Sequence, residues 1–520
     1  MQVEQPQDRG KTRLLIVTPD FLGRRMAGIA LRHWEFARAL SKEFEVALAS
    51  DEPADVEPEG FRVVTSNGGE EFAALVAWSD VILIQGDRLS MYPTLKEAGK
   101  PLIVDLICPN HLEELERAKL AQRGNPSPDE LSEHHLQHSL VLDRNCDQLL
   151  VGDFFICGGE TQKDFWLGML SALNRINPYT YNGHQAVNTL LSIVTFGIPS
   201  QPPEHTRRVL KGVWNGIGED DIVLLWNGGI WDWFDPLTVI QAVSRLSQRR
   251  DDIKLVFMGV RHPRPGARFP RMAEKAFELA RGLGAYDTSV FFTEDWIPYE
   301  ARGNYLLEAD IGINCQMNHL ETRFAFRTRV LDYLWAGLPI ISSRGDCLSK
   351  DIERYELGRV VDAGDVAGWE KAILMMTSKE WRDRCTANVR EYAKDLQWEN
   401  VVRPIAEFCR HPRLALDKMV PRNLSQAELE RRRAEALERE RDQAVQRAHA
   451  MERELERSRG QIESLEQKWK QVESLKHQVE QRKDELQAQL DRVQSTLLYR
   501  LLHAEVKDLK GALRRLGRKP

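Results

Sequence analysis

The stretch that most constrains this 520-residue chain runs from Asp310 to Ser342. Its start, Ile311-Gly312-Ile313-Asn314, is a short apolar run that predicts a buried strand. A polar loop carrying Glu321, Arg323, Arg327 and Arg329 follows. Val330 to Ala336 has helical spacing, Gly337 stands where a helix stops, and Pro339 cannot prolong it. Ile340-Ile341 then opens another strand. Strand, charged loop, helix, glycine, strand is one βαβ unit, and it commits the chain to a parallel sheet. Ligands of open parallel sheets gather outside the carboxyl ends of the strands, where this unit puts its charges. Three arginines there suit an anion, and a nucleoside diphosphate fits. A surface salt-bridge network is the competing reading of the same arginines.

The length exceeds what one core supports and implies two domains or more. A net charge of −6 and a pI near 6.2 give no bulk attraction to nucleic acid. The seven cysteines are scattered with no metal-ligand spacing, which predicts buried thiols in a reducing compartment. The first ten residues are polar, with no apolar signal region, and read as a disordered leader. No apolar run approaches the ~20 residues of a membrane span. The expectation is a cytoplasmic protein.

The first half opens on a strand at Arg13–Thr18, a loop with Gly23, a helix from Gly28 to Leu40 and a strand at Glu45–Ala49. This is a Rossmann-like start without Gly-x-Gly-x-x-Gly, so a dinucleotide cofactor is disfavoured. Further strands are expected at Val81–Gln85, Pro101–Asp105, Leu149–Gly152 and Ile193–Pro199. Asp105, Asn110 and His111 follow the carboxyl end of one of them and are site candidates by position. His135 and His138 share a helical face, but no third ligand accompanies them, and no metal site is expected. Pro199, Pro202 and Pro203 mark a linker.

The pattern restarts with a strand at Asp221–Asn227, then a loop, Gly228-Gly229-Ile230-Trp231-Asp232-Trp233-Phe234-Asp235-Pro236, then a helix. Backbone N–H groups of such a glycine-rich loop can hold phosphate. Packing into the core is the other reading of its tryptophans. After a strand at Lys254–Gly259, the basic loop at Arg261 lies at another carboxyl edge. The predicted architecture is α/β: two Rossmann-like domains, 11–200 and 201–397, then a closing helix and linker, 398–424.

The segment Leu331-Asp332-Tyr333-Leu334-Trp335-Ala336-Gly337-Leu338-Pro339-Ile340-Ile341 resembles the signature of retaining nucleotide-sugar glycosyltransferases of the GT-B fold, family 4. Their pattern is Glu-x7-Glu, then Ala and Gly-x-Pro-Val-Ile. Here Asp332 stands at the second Glu and Phe324 at the first. The nearest upstream acid, Glu321, is separated from Asp332 by ten intervening residues where seven are usual. The Arg and Lys that usually hold the donor pyrophosphate are missing from the Gly228–Pro236 loop. The resemblance covers about residues 12–410 and is specific chiefly in the second domain.

It implies sugar transfer from a nucleoside diphosphate to an acceptor, a saccharide or a lipid-linked one, held by the N-terminal domain. No cofactor and no metal are implied, and transfer is retaining. Catalytic candidates are Glu321, which would orient the sugar, and Arg327 and Arg329, which would neutralise the departing diphosphate. Donor-binding candidates are Gly28 (with Gly23 its competitor), Gly228, Gly229, Arg261 and Asp332. Asp105, Asn110 and His111 are the acceptor-side candidates. Bacterial surface polysaccharide or glycoconjugate synthesis is the implied setting. Two rivals stand: another GT-B nucleotide-sugar enzyme, and a degenerate GT-B scaffold that self-associates.

From residue 425 onward Pro and Gly nearly vanish and charges of both signs dominate. Met451, Leu465, Val472, Val479, Leu486 and Val493 follow a heptad row that only Ser458 interrupts. The companion row is Ala448, Leu455, Ile462, Trp469, Lys476, Lys483, Leu490 and Leu497. This predicts a coiled coil over about 448–497 and a homo-oligomer built on it. The end, Leu497 to Lys519, is amphipathic and basic. Contact with an anionic membrane face (peripheral, at the inner membrane), a partner, and plain helix capping are its three readings.

Overall fold

The fold is built from two parallel sheets. It was determined as a computed structural model that describes residues 10–23, 26, 28–66, 68–121, 126–181, 186–260, 269–293, 297–298, 301–418 and 424–516. The chain divides into two compact units between residues 421 and 422. The first unit holds both sheets.

The first sheet contains β1 (Arg13–Val17), β2 (Glu45–Ser50), β3 (Arg62–Thr65), β4 (Val81–Gln85), β5 (Leu102–Asp105), β6 (Phe154–Cys157) and β7 (Leu191–Ile193). Their order is β3-β2-β1-β4-β5-β6-β7. The second sheet contains β8 (Ile222–Asn227), β9 (Ile253–Met258), β10 (Val290–Phe292), β11 (Ile311–Asn314), β12 (Ile340–Ser343) and β13 (Gly358–Val361), in the order β10-β9-β8-β11-β12-β13. All these pairings are parallel. Strand order reverses direction between β1 and β4 in one sheet and between β8 and β11 in the other. Such reversals open a crevice at the carboxyl ends of the strands.

Continuous apolar strands are what a sheet covered on both faces requires. Every residue of β4, β5, β6, β8, β9 and β11 is buried. The signature helix spans Arg329–Ala336 and ends at Gly337, whose φ of +70° is left-handed. Glycine meets that requirement without the steric penalty of a Cβ. Gly312 in β11 meets a different need: a Cβ there would lie 2.4 Å from the Tyr333 ring.

Three expectations are corrected. Leu149–Val151 is the end of a helix, Pro128–Val151, and not a strand; the strand begins at Phe154. The last strand of the first sheet is Leu191–Ile193, and Val194–Pro199 runs on outside it. Glu321 and Arg323 sit in a short helix, Leu320–Phe324, rather than in a loop. None of the seven cysteines forms a disulfide; four are buried and three half-buried.

The chain crosses back to the first sheet after the second is complete. The Ile198 N–H donates to the Leu396 carbonyl at 2.8 Å and the Trp398 N–H to the Ile198 carbonyl at 3.2 Å. Helices Trp398–Val401 and Arg403–Arg410 follow. Trp398 packs edge-on against Phe36, and Phe408 stacks on Phe154 with centroids 4.9 Å apart. Gly197 makes room for this crossing, since a Cβ there would lie 2.5 Å from the Trp398 ring.

The described residues of the second unit form one helix, Leu424–Leu516. Its heptad-row residues Met451, Leu465, Val472, Val479, Leu486 and Val493 are all exposed. No helix among the described residues is long and apolar enough to cross a membrane.

Candidate active site

At the switch point of the second sheet, β8 ends on Asn227 and turns through Gly228, which has a φ of +87°. The Gly228 N–H is anchored on the Met258 carbonyl at 3.0 Å. A Cβ on Gly228 would meet nothing within 4 Å, so the loop faces open space. Arg329, the first residue of the signature helix, reaches this loop from below. Its Nη2 donates to the Gly229 carbonyl at 2.8 Å.

The guanidinium of Arg329 lies 4.3 Å from the Trp226 ring centroid and 4.1 Å from that of Phe234. Only 9% of the residue is exposed, and Nη1 has no hydrogen-bond partner among the described residues. Burial pushes its pKa down to about 10, and the neighbouring Arg327 charge adds to the drop. Among the described residues Arg329 is thus a desolvated cation with no carboxylate partner and one donor unused.

Arg327 differs. Its two terminal nitrogens meet Glu321 at 3.1 and 2.7 Å, and Nε donates to Gln316 Oε1 at 2.6 Å. Glu321 and Arg327 are both buried, a fork-to-fork pair that orders the segment between them. Removing either partner leaves a buried charge unmatched, which typically costs about 3–5 kcal/mol. Beside them Asp346 accepts from Asn314 Nδ2 at 3.0 Å and from the Leu348 and Ser349 N–H groups. Its burial raises the carboxyl pKa against the pull of Arg327.

Asp332 is at the rim. It accepts from Arg302 Nε at 3.0 Å and from Asn227 Nδ2, and its side chain remains about a quarter exposed. Arg302 lies over the Trp335 ring at 4.7 Å. Tyr333, one residue on, points inward. Its hydroxyl accepts from the Asn227 N–H at 3.0 Å and lies 2.8 and 2.9 Å from the Leu225 and Ile313 carbonyls. One helix therefore fixes both β8 and β11 while presenting Asp332.

In the first domain Asp105 is fully withdrawn from solvent. Arg32 grips it at 2.6 and 3.2 Å and also donates to the Thr195 and Val194 carbonyls. Burial alone would raise the Asp105 pKa; the Arg32 charge, the Arg32 hydrogen bonds and the close His33 ring, 3.6 Å away, outweigh it and lower it. Asn110 starts helix Asn110–Ala121. His111 is buried, its ring stacked on Phe165 at 5.6 Å, with Asn145 Nδ2 at 2.9 Å from its Nδ1. Gly28 is the first residue of its helix, and among the described residues only Phe196 comes near its Cβ position. Arg261 lies outside the described residues.

The two domains meet where the signature helix is approached. Gln162 donates to the Ile107 and Phe324 carbonyls, both at 2.7 Å, and accepts from the Gly158 N–H. Phe324 packs on Phe165 and Phe326 on Phe196, at 4.8 and 5.6 Å. Of the named candidates, the structure gathers Gly228, Gly229, Arg329 and Asp332 at one carboxyl edge, with Glu321 and Arg327 as a buried pair alongside. Asp105 and His111 belong to the facing domain. Sequence reasoning missed Arg32, Asn227, Arg302 and Gln316. Only Asn227, ending a strand directly before two glycines, carried a local signal.

No protein-family model matches the chain, and no curated protein matches it in sequence. Among solved structures it is similar to sucrose-phosphate synthase from Thermosynechococcus elongatus, at 13% identity over 77% of this chain and 98% of that one, TM-score 0.52. It is similar to trehalose-6-phosphate synthase at 12% identity over 78% and 100%, TM-score 0.53. An Anabaena protein, HepE, crystallised with UDP-glucose, aligns at 11% identity over 76% and 99%, TM-score 0.51. These likenesses establish the two-domain GT-B fold.

One stability prediction comes from His111. Burial, and then the His138 charge, push its pKa down to about 4. The unfolded value is about 6.5. A depressed folded pKa means stability is complete above about 6.5 and falls as the pH drops toward about 4. Protonation also removes the acceptor that Asn145 uses. Melting temperature is expected to fall between pH 7 and pH 5, and His111→Gln to shrink that fall. Equal falls in both proteins contradict the assignment.

Proposed function

We propose that this chain is a glycosyltransferase that takes a sugar from a nucleoside-diphosphate donor. The observation that carries the reading is Arg329: a buried guanidinium with an unused donor, set under an open glycine turn at the strand switch point. Cleavage of the bond between sugar and diphosphate leaves negative charge on the departing phosphate oxygens. A fixed cation aimed at that position stabilises the charge as it develops, at no reorganisation cost. Low local polarity strengthens the effect.

Asp332 is the acceptor for donor hydroxyls, and Arg302 and Asn227 hold its carboxylate in place. Arg327 and Glu321 act as a pair: Arg327 adds positive potential, and Glu321 fixes the loop that faces the transferred sugar. Asn110 and His111 lie on the acceptor side, with Asp105 as the buried anchor of that edge. Closure of the two domains through Gln162, Phe324 and Phe326 excludes water that would hydrolyse the donor. Retention of configuration and independence from a metal are the finer parts of the proposal, and the Leu331–Ile341 signature supports them. The structures of UDP-sugar-binding relatives in fold favour a nucleotide sugar over other diphosphates.

One observation favours a second reading, a scaffold without turnover. Phe324 occupies the place of an acid in the related signature, and its ring is committed to Phe165. Transfer or hydrolysis of UDP- and GDP-sugars separates the two readings; strong self-association without turnover belongs to the scaffold.

The exposed helix supports self-association through the 448–497 seam. Paired in parallel and in register, Arg447, Glu454 and Lys468 of one copy face Glu452-, Arg459- and Glu473-type partners of opposite sign on the other. The seam exposes Leu455, Ile462, Trp469 and Val479 in the single chain. Sedimentation equilibrium is expected to give a dimer at micromolar concentration, and Val472→Glu with Val479→Glu a monomer. A monomeric unmodified chain contradicts the seam.

For the site, calorimetry with UDP- and GDP-sugars is expected to find a binder. Arg329→Gln should weaken it at least ~10-fold, the loss of one charge-assisted hydrogen bond. Unchanged affinity in a variant that melts normally contradicts the role of Arg329.

A further inference from the structure

The apolar face of the long helix changes sides near Leu497. Up to Val493 the row Met451, Leu465, Val472, Val479, Leu486, Val493 runs along one edge; its next two positions are Arg500 and Lys507. The seam therefore ends in cations. Beyond it, Leu498, Tyr499, Leu501, Leu502, Val506 and Leu509 are between 45 and 66% exposed. At about 100° per residue these six fall within an arc of roughly 160°. Leu498, Leu502, Leu509 and Val506 occupy about half of it. Its centre lies roughly opposite the seam, so pairing through the seam leaves this face outward.

The neighbouring arc, about 80° wide, carries Arg500, Lys507, Lys510 and Arg514, all exposed. Two acids, Glu505 and Asp508, share the segment, and only Glu505 lies inside the apolar arc. A broad leucine-rich face bordered by four cations is the pattern of a helix lying in a bilayer interface. Leucines enter the acyl boundary, and the cations meet anionic headgroups. A tyrosine at the edge suits the same depth. We propose that the segment from Leu498 is an in-plane anchor for an anionic lipid surface. The proposal stands on the helix alone, so it holds or fails independently of the transferase reading.

The test is co-sedimentation of the full-length protein with vesicles of phosphatidylcholine containing roughly 30% phosphatidylglycerol, and with phosphatidylcholine alone. The protein is expected to pellet with the anionic vesicles, and less as salt rises. Leu502→Glu with Leu509→Glu should cut the bound fraction at least ~10-fold while self-association, read by sedimentation equilibrium, persists. Protein left in the supernatant with anionic vesicles overturns the proposal. So does equal binding to neutral vesicles, or a double variant that pellets like the unmodified chain. If the double substitution breaks self-association instead, this face belongs to a protein contact and the lipid assignment falls.

Discussion

The placement of the Arg329 guanidinium between two aromatic rings and a backbone carbonyl is the interaction on which the second domain's site depends. Taking a cation out of water is expensive, and no carboxylate among the described residues offsets it. The faces of Trp226 and Phe234 supply partial compensation, on the order of 0.5–2 kcal/mol each for a cation so placed. The Gly229 carbonyl satisfies one nitrogen. What remains is a positive charge held under a turn that only glycine adopts easily. Such a site gains most from an anion placed above it. The same helix, one turn on, ties Tyr333 to both β8 and β11 through its hydroxyl. The cation and the strand ends that frame it are therefore one rigid object.

The domain interface adds the second constraint. Gln162 bridges carbonyls from both domains, so a single amide senses whether they are closed. Opening requires that amide to release the Phe324 carbonyl and two aromatic contacts to separate. The returning segment from Leu396 to Arg410 stays on the first sheet through backbone bonds, Trp398 and Phe408. Closure and anchoring use separate contacts, so the two domains can part without unravelling the returning segment.

Much of this was legible in the sequence. Buried parallel strands announce themselves as apolar runs, and β8, β11 and β12 fell where Asp221–Asn227, Ile311–Asn314 and the Ile340-Ile341 start predicted. Gly337 marked the end of the signature helix. The misreading of Leu149–Val151 shows the limit. A three-residue apolar run has no period, and here it closes a 24-residue helix whose start is signalled by a capping box at Ser127 and Glu130. The polar site was harder. Arg32 and Asp105 are 73 positions apart and Arg302 and Asp332 are 30 apart. No local rule links such pairs. Glu321 and Arg327 were visible as charges, but their mutual capture depends on a helix and turn that no periodicity encodes.

The most direct measurement is a crystal structure of the full chain with a UDP- or GDP-sugar bound. The account predicts an ordered diphosphate over Gly228 and Gly229, with a phosphate oxygen within hydrogen-bond distance of Arg329 Nη1 and a sugar or ribose hydroxyl on Asp332. A diphosphate ordered elsewhere, with that nitrogen still unengaged, would contradict it.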